Sequence, residues 1–188
     1  MPAGQRAPNE NIFFALLPDD TEIQRLTSEA TQCMLSAGLT VRRTDVTRLH
    51  VTLAFLGTGL DNRKLSAACW AADQVHLPAF DVRFDRAMSF GRSNGPFVLT
   101  GRIDDDDLAP VYGLRTALIH ALADQGIRLK AAYRPHMTLS YSRRPHVAEH
   151  AITPIAFPGR AFHLMRSHAG QSRHERLASW PLADSPAR

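Results

Sequence analysis

The sequence predicts an α+β fold of two similar lobes, and three observations lead there. Strand-like and helix-like apolar patterns alternate along the chain. Turn-rich stretches between neighbouring strand patterns mark hairpins, so the strands do not all need helical crossovers. One local pattern also occurs twice: a helix-like segment, then a strand carrying Arg-x-His-x-Thr-Leu, with the two histidines 86 residues apart. A repeat of that size argues for two related lobes facing each other.

Residues 1–11 are polar and contain proline, and read as a flexible leader. The apolar run at 12–17 is a strand stopped by Pro18. Asp19, Asp20 and Thr21 offer an N-cap for a helix to Ala37, with Gly38 at its end. A short strand is expected at 39–43, and a clearly alternating one at 48–56. Asp61 opens a second helix, to about residue 75. Strands at 80–89 and 97–103 flank a turn-rich hexapeptide, Gly91 to Pro96, and form a hairpin. The acid run Asp104 to Asp107 is expected to cap a helix over 108–124 through its last member, because acids suit a helix N-terminus. Gly126 ends that helix. Strands are then expected at 127–131, 134–142, 155–157, 161–167 and 176–182, and residues 183–188 form a loose tail. The whole of 12–182 is read as one domain of two lobes.

About 44% of the 188 residues are hydrophobic, enough for a sizeable core. The net charge of +4 and pI near 9.6 favour anionic ligands, nucleic acid among them. Cys33 and Cys69 lack CxxC spacing and read as buried thiols. No apolar window reaches membrane-spanning length and the start lacks a signal-peptide core, so a cytoplasmic protein is expected.

The chemistry concentrates in the repeat, Arg48-Leu49-His50-Val51-Thr52-Leu53 and Arg134-Pro135-His136-Met137-Thr138-Leu139. Side chains alternate across a strand, so Arg48, His50 and Thr52 share one face, while Val51, Leu53 and Phe55 take the other and enter the core. Likewise Arg134, His136 and Thr138 share a face, and Met137 and Leu139 point inward. Two such strands across a groove offer two imidazoles, two hydroxyls and positive charge, a set suited to a phosphodiester. One neutral imidazole can take a proton from the attacking oxygen, and one imidazolium can give a proton to the leaving oxygen. Threonine hydroxyls can donate to the non-bridging oxygens. A lone histidine on a strand is most often structural; two copies with matching flanks are far harder to produce by chance.

His50 to Gly57, His-Val-Thr-Leu-Ala-Phe-Leu-Gly, and Pro135 to Leu139, Pro-His-Met-Thr-Leu, resemble the signatures of the two-histidine (2H) phosphoesterase superfamily. The likeness is to its LigT-like branch, the RNA 2′,3′-cyclic phosphodiesterases. Phe13 to Pro18 resembles the opening strand of that branch; Leu164 to Ser167 and Ser179 to Leu182 resemble its closing strands. The resemblance implies a bilobal fold, with pseudo-twofold-related lobes whose antiparallel sheets face a central groove and helices outside. It implies a nucleoside or RNA 2′,3′-cyclic phosphate opened to a 2′-phosphate, with His50 as acid, His136 as base, and Thr52 and Thr138 holding the phosphate. No metal or other cofactor, no membrane and no protein partner is implied, and a monomer is expected. Many relatives carry arginine three residues after the second threonine, where this chain has Tyr141; Arg134, Arg143 and Arg48 are the candidate phosphate-binding substitutes. Relatives often have tyrosine where this chain has His174 or Glu175.

Other features have plainer expectations. His146 and His150 are spaced like a helical metal pair but sit in a proline-led polar stretch, and His163, His168 and His174 look like scattered surface or strand residues. Gly91 to Gly95 lacks the ending of a phosphate loop. Tyr133, Phe90 and Trp180 are candidates to stack on a base, although aromatics beside strands mostly fill cores. Alternative functions are 2H chemistry on a 2′–5′ linkage, an ADP-ribose cyclic phosphate or a non-RNA phosphodiester, and a non-catalytic RNA-binding module. The presence of both histidines and both threonines argues against the last, because mere affinity would be served by arginines alone.

Overall fold

The structure, a computed structural model, describes residues 10–39, 49–91, 95–102, 106–130, 132–141, 146–168 and 173–183. Its elements run β1 (Glu10–Leu16), α1 (Asp20–Ser36), β2 (Val51–Thr58), α2 (Asn62–Asp73), β3 (Phe80–Ser89), β4 (Phe97–Thr100), α3 (Ala109–Asp124), β5 (His136–Ser140), β6 (His150–Gly159), β7 (Ala161–His168) and β8 (Arg173–Pro181). The starts of α1 and α2 follow the chemistry read in the sequence. Asp19 accepts from the amides of Thr21 and Glu22 at 3.1 and 3.0 Å, and Asp61 accepts from that of Lys64 at 2.8 Å; each such cap is worth about 1 kcal/mol. Gly126, with φ of 76°, supplies the left-handed residue that closes α3.

Among the described residues, all eight strands join in one antiparallel sheet, in the order β6-β3-β4-β5-β2-β1-β7-β8. The two motif strands, β5 and β2, are its central neighbours. They share one residue pair, Val51 opposite Met137. On either side of that pair lies a half-sheet of four strands, with its motif strand innermost, and these halves are the two lobes. The helices pack on one face. Val51, Leu53, Phe14, Leu16, Phe84, Leu99, Met137 and Leu139 from the sheet meet Leu26, Ala68, Val111, Leu114, Leu118 and Leu122 from the helices in one core.

Several expectations are corrected. Phe55 does not enter the core but is 53% exposed. The register explains it: Ala15 pairs with Thr52 while Phe14 pairs with Ala54, so Leu53 is an extra residue and the alternation flips beyond it. No strand forms at 127–130: Ile127 donates back to Leu122 to finish the helix cap, and the Lys130 carbonyl is taken by Arg115. Asp107 pairs with Arg83 at 3.0 Å rather than capping α3, whose N-cap is Leu108 with no side-chain bond. β1 starts at Glu10, inside the expected leader, and β6 and β8 begin earlier than expected. The expected strand at 39–43 lies almost wholly outside the described residues, as does Asp104–Asp105 of the acid run. No described helix is long and apolar enough to cross a membrane.

A single shared pair leaves carbonyls on the inner edge of β2 without ladder partners. Two side chains take them. Arg115, buried in the middle of α3, donates to the Leu53 carbonyl at 2.5 Å and the Lys130 carbonyl at 2.7 Å. The Tyr133 hydroxyl donates to the Thr52 carbonyl at 2.8 Å, and the guanidinium lies 4.3 Å from the centre of the Tyr133 ring. An unmet buried carbonyl costs about 1–3 kcal/mol. Arg115→Met is therefore expected to lower the unfolding free energy by about 2–4 kcal/mol, two carbonyls being orphaned. Urea denaturation checks this, and a loss under about 0.5 kcal/mol, the range of an ordinary surface change, would refute the wedge.

Candidate active site

Val51 and Met137, the joining pair, are 0% and 1% exposed and belong to the helix-side core. Alternation therefore sends His50, Thr52, His136 and Thr138 to the opposite face. Antiparallel direction around the same pair runs His50 toward Thr138 and Thr52 toward His136. All four are half-buried. The repeat thus converges on one patch at the seam between the lobes.

The two imidazoles are held differently. His136 Nδ1 lies 2.8 Å from the carbonyl of Arg134 and must carry the hydrogen that bonds it, which leaves Nε2 as the lone-pair nitrogen. The Phe90 ring meets His136 edge-on, with centroids 4.8 Å apart. Burial pulls the His136 pKa below the usual histidine value; its bond to the Arg134 carbonyl works the other way, and the Arg134 charge adds to the lowering. His50 instead has Nε2 3.1 Å from its own motif's Thr52 Oγ1. Its ring packs against Phe13 and His174, each at a centroid distance of 5.2 Å. When His50 is charged it donates to Thr52 Oγ1, and the threonine hydrogen is then directed elsewhere.

The arginines fare unequally. Arg134 sits beside His136, and its guanidinium donates to Thr100 Oγ1 at 3.1 Å, the Gly101 carbonyl at 3.1 Å and Glu149 at 3.0 Å, with Met88 Sδ at 3.4 Å. Arg48 and Arg143 lie outside the described residues. Tyr141, just past β5, is 67% exposed.

Of the three base-stacking candidates, Phe90 lies at the site. Tyr133 belongs to the wedge with Arg115, and burial holds its hydroxyl well above the usual phenol range. Trp180 stacks on Phe162 on the helix side and donates to Asp73 at 2.6 Å. His174 is not a scattered histidine but part of the His50 cluster, and His163 is buried. Residues 146–149 form no helix, so His146 and His150 do not have helical spacing. A cavity of about 430 Å³ lies elsewhere, between α1 and β6, lined by Glu29, Gln32, Cys33 and Thr153 among others. It contains neither motif.

Arg115, Thr100 and Glu149 escaped the sequence reading. Arg115 had a signal: it falls on the stripe Val111, Arg115, Leu118, Leu122, where a charge in an apolar row marks a buried polar task.

The comparisons with known proteins agree with this geometry. The model of the 2′-5′ RNA ligase superfamily matches residues 17–171. Escherichia coli LigT, solved with 3′-AMP, matches at 22% identity over 93% of this chain and 98% of its own, with a TM-score of 0.72. A phosphoesterase matches at 24% identity over 93% and 99%, with a TM-score of 0.71. A Thermus thermophilus protein matches at 19% identity over 94% and 100%, with a TM-score of 0.65. No curated protein matches significantly.

His163, across Ala15 from Thr52, has Nδ1 2.8 Å from Ser179 Oγ. Burial, with help from the Arg176 charge, pushes its pKa down to about 4. A histidine whose folded pKa lies below its unfolded value leaves stability intact above about pH 6.5 and removes it as pH falls toward 4, because the unfolded chain binds the extra proton. The loss attributable to His163 approaches about 3 kcal/mol at the acid end. His163→Gln is expected to flatten the fall between pH 6.5 and 4 in denaturation series; an unchanged slope would show that other groups cause it. Family model, LigT-like fold and paired motifs agree, and the chain belongs to the 2′-5′ RNA ligase superfamily, a family of 2H phosphoesterases.

Proposed function

We propose that this protein is a metal-independent hydrolase that opens 2′,3′-cyclic phosphates, on RNA ends or nucleotides, to 2′-phosphates. The observation that carries this is the single Val51–Met137 pair, which turns both His-x-Thr sets to one face at the lobe seam. Membership of a phosphoesterase superfamily supports the reaction class. That LigT has been solved with 3′-AMP and with NADP+ supports a nucleotide ligand here.

In this reading water attacks phosphorus and loses a proton to His136 Nε2, the nitrogen whose lone pair the Arg134 carbonyl bond leaves available. The bond from phosphorus to the 3′ oxygen breaks, and His50 gives that oxygen its proton. Thr52 and Thr138 donate to the two non-bridging oxygens as they gain charge. Arg134, already bonded to Thr100, Gly101 and Glu149, supports the base and supplies charge more than free donors. The superfamily's description favours one second reading, action on a 2′–5′ linkage. Joining would use the same acid–base pair in reverse, but about 55 M water favours hydrolysis unless product is withheld.

The test is turnover of a 2′,3′-cyclic nucleotide and of a short RNA with that end, in EDTA, beside a 2′–5′-linked dinucleotide. Wild type is expected to yield the 2′-phosphate. His50→Ala and His136→Ala should each slow the reaction roughly 10²–10⁴-fold, while Thr52→Val slows it with little loss of stability. Cleavage of the 2′–5′ dinucleotide alone would transfer the assignment to the second reading. Near-normal turnover by either histidine variant would end the acid–base pair.

A further inference from the structure

His136 is anchored through a chain of contacts that leaves the motif and ends on a carboxylate. Its Nδ1 bonds to the Arg134 carbonyl at 2.8 Å. The Pro135 carbonyl between them accepts from Thr100 Oγ1 at 2.8 Å, and Thr100 is opposite His136 in the β4–β5 ladder and fully buried. Arg134 closes the loop: its Nε donates to the same Thr100 oxygen and one Nη to the Gly101 carbonyl. Main chain and side chain of Arg134 therefore grip β4 and His136 together. The outer side of the guanidinium meets Glu149 Oε1 at 3.0 Å.

Glu149 is not a loose surface acid. Its segment is sewn to β3: Ser89 N donates to the Val147 carbonyl at 2.9 Å, Val147 N donates to Ser89 Oγ at 3.1 Å, and Ala87 pairs with His150. The carboxylate is thus presented to Arg134 from a fixed backbone, while the side chain itself stays exposed to solvent.

We propose that Glu149 is a positioning residue for His136: by holding Arg134 it fixes the carbonyl that orients the imidazole, and it offsets the guanidinium charge beside that imidazole. This rests on His136 being the base in the proposed reaction. Among the described residues, the charged and titratable groups that the register places on the elements around His136 include Arg134 on its own segment, Arg86 on β3 with its partner Asp85, His50 just before β2, and Glu149. Two of these are fixed cations, and Glu149 is the acid bonded to the nearer one. Removing its charge favours the neutral ring. Removing its side chain leaves Arg134 held by Thr100 and Gly101 alone, one tether fewer behind the carbonyl.

Two variants separate the charge from the grip. Glu149→Gln keeps an acceptor for Arg134 but removes the charge; Glu149→Ala removes both. The first readout is an NMR titration of the labelled His136 imidazole, with no substrate present. Glu149→Gln is expected to lower the His136 midpoint by about half a pH unit, a modest value because the pair is partly exposed and screened. The difference from wild type should shrink in high salt. The acid limb of the rate profile should move to lower pH by the same amount, and Glu149→Ala should lower kcat about tenfold with KM unchanged. Glu149→Asp, which restores the charge, should bring the midpoint back toward wild type. An unmoved midpoint in Glu149→Gln, or a raised KM with kcat intact, would overturn the proposal, the latter by assigning Glu149 and Arg134 to substrate binding. A shifted midpoint in a protein that turns over no cyclic phosphate would sink the hydrolase reading and leave this one standing.

Discussion

The structure depends on an interruption: two half-sheets meet through one residue pair and then part. A sheet that parts leaves main-chain oxygens with no ladder partner, which a protein interior does not tolerate. Arg115 and Tyr133 make the parting possible, one from the middle of a helix and one from the loop before β5. The parting of the two half-sheets is thus accommodated by side-chain hydrogen bonds from Arg115 and Tyr133.

The position of the seam decides what the groove contains. Because the middle residues of the two His-x-Thr motifs are the pair that joins the lobes, their flanking residues all turn the same way. A shift of one residue in either strand would bury an imidazole and expose Val51 or Met137. The penalty for that error is large, since both apolar residues are packed among helix side chains. The register of the site is therefore enforced from the core side.

Much of this is legible in the sequence. The periodicity of 48–56 and 134–142 implies the shared faces, and the capping acids Asp19 and Asp61 mark helix starts that the structure keeps. The departures have physical causes. Phe55 leaves the core because a bulge changes the parity of a strand, and nothing in the residues of β2 announces a bulge that is set by pairing with β1. Local rules favour Asp107 as a cap, whereas a distant cation, Arg83, takes it. The cluster of His50 with Phe13 and His174 joins residues from opposite ends of the chain, so no local pattern could foretell it. Arg115, by contrast, stands out within its own helix.

A scaffold built from two copies of the same motif would treat the two ends of a ligand alike. Here one imidazole is tethered to a main-chain oxygen and hemmed by Phe90, and the other leans on its own threonine among Phe13 and His174. That inequality gives the cleft a polarity. A near-palindromic framework thereby acquires a head and a tail.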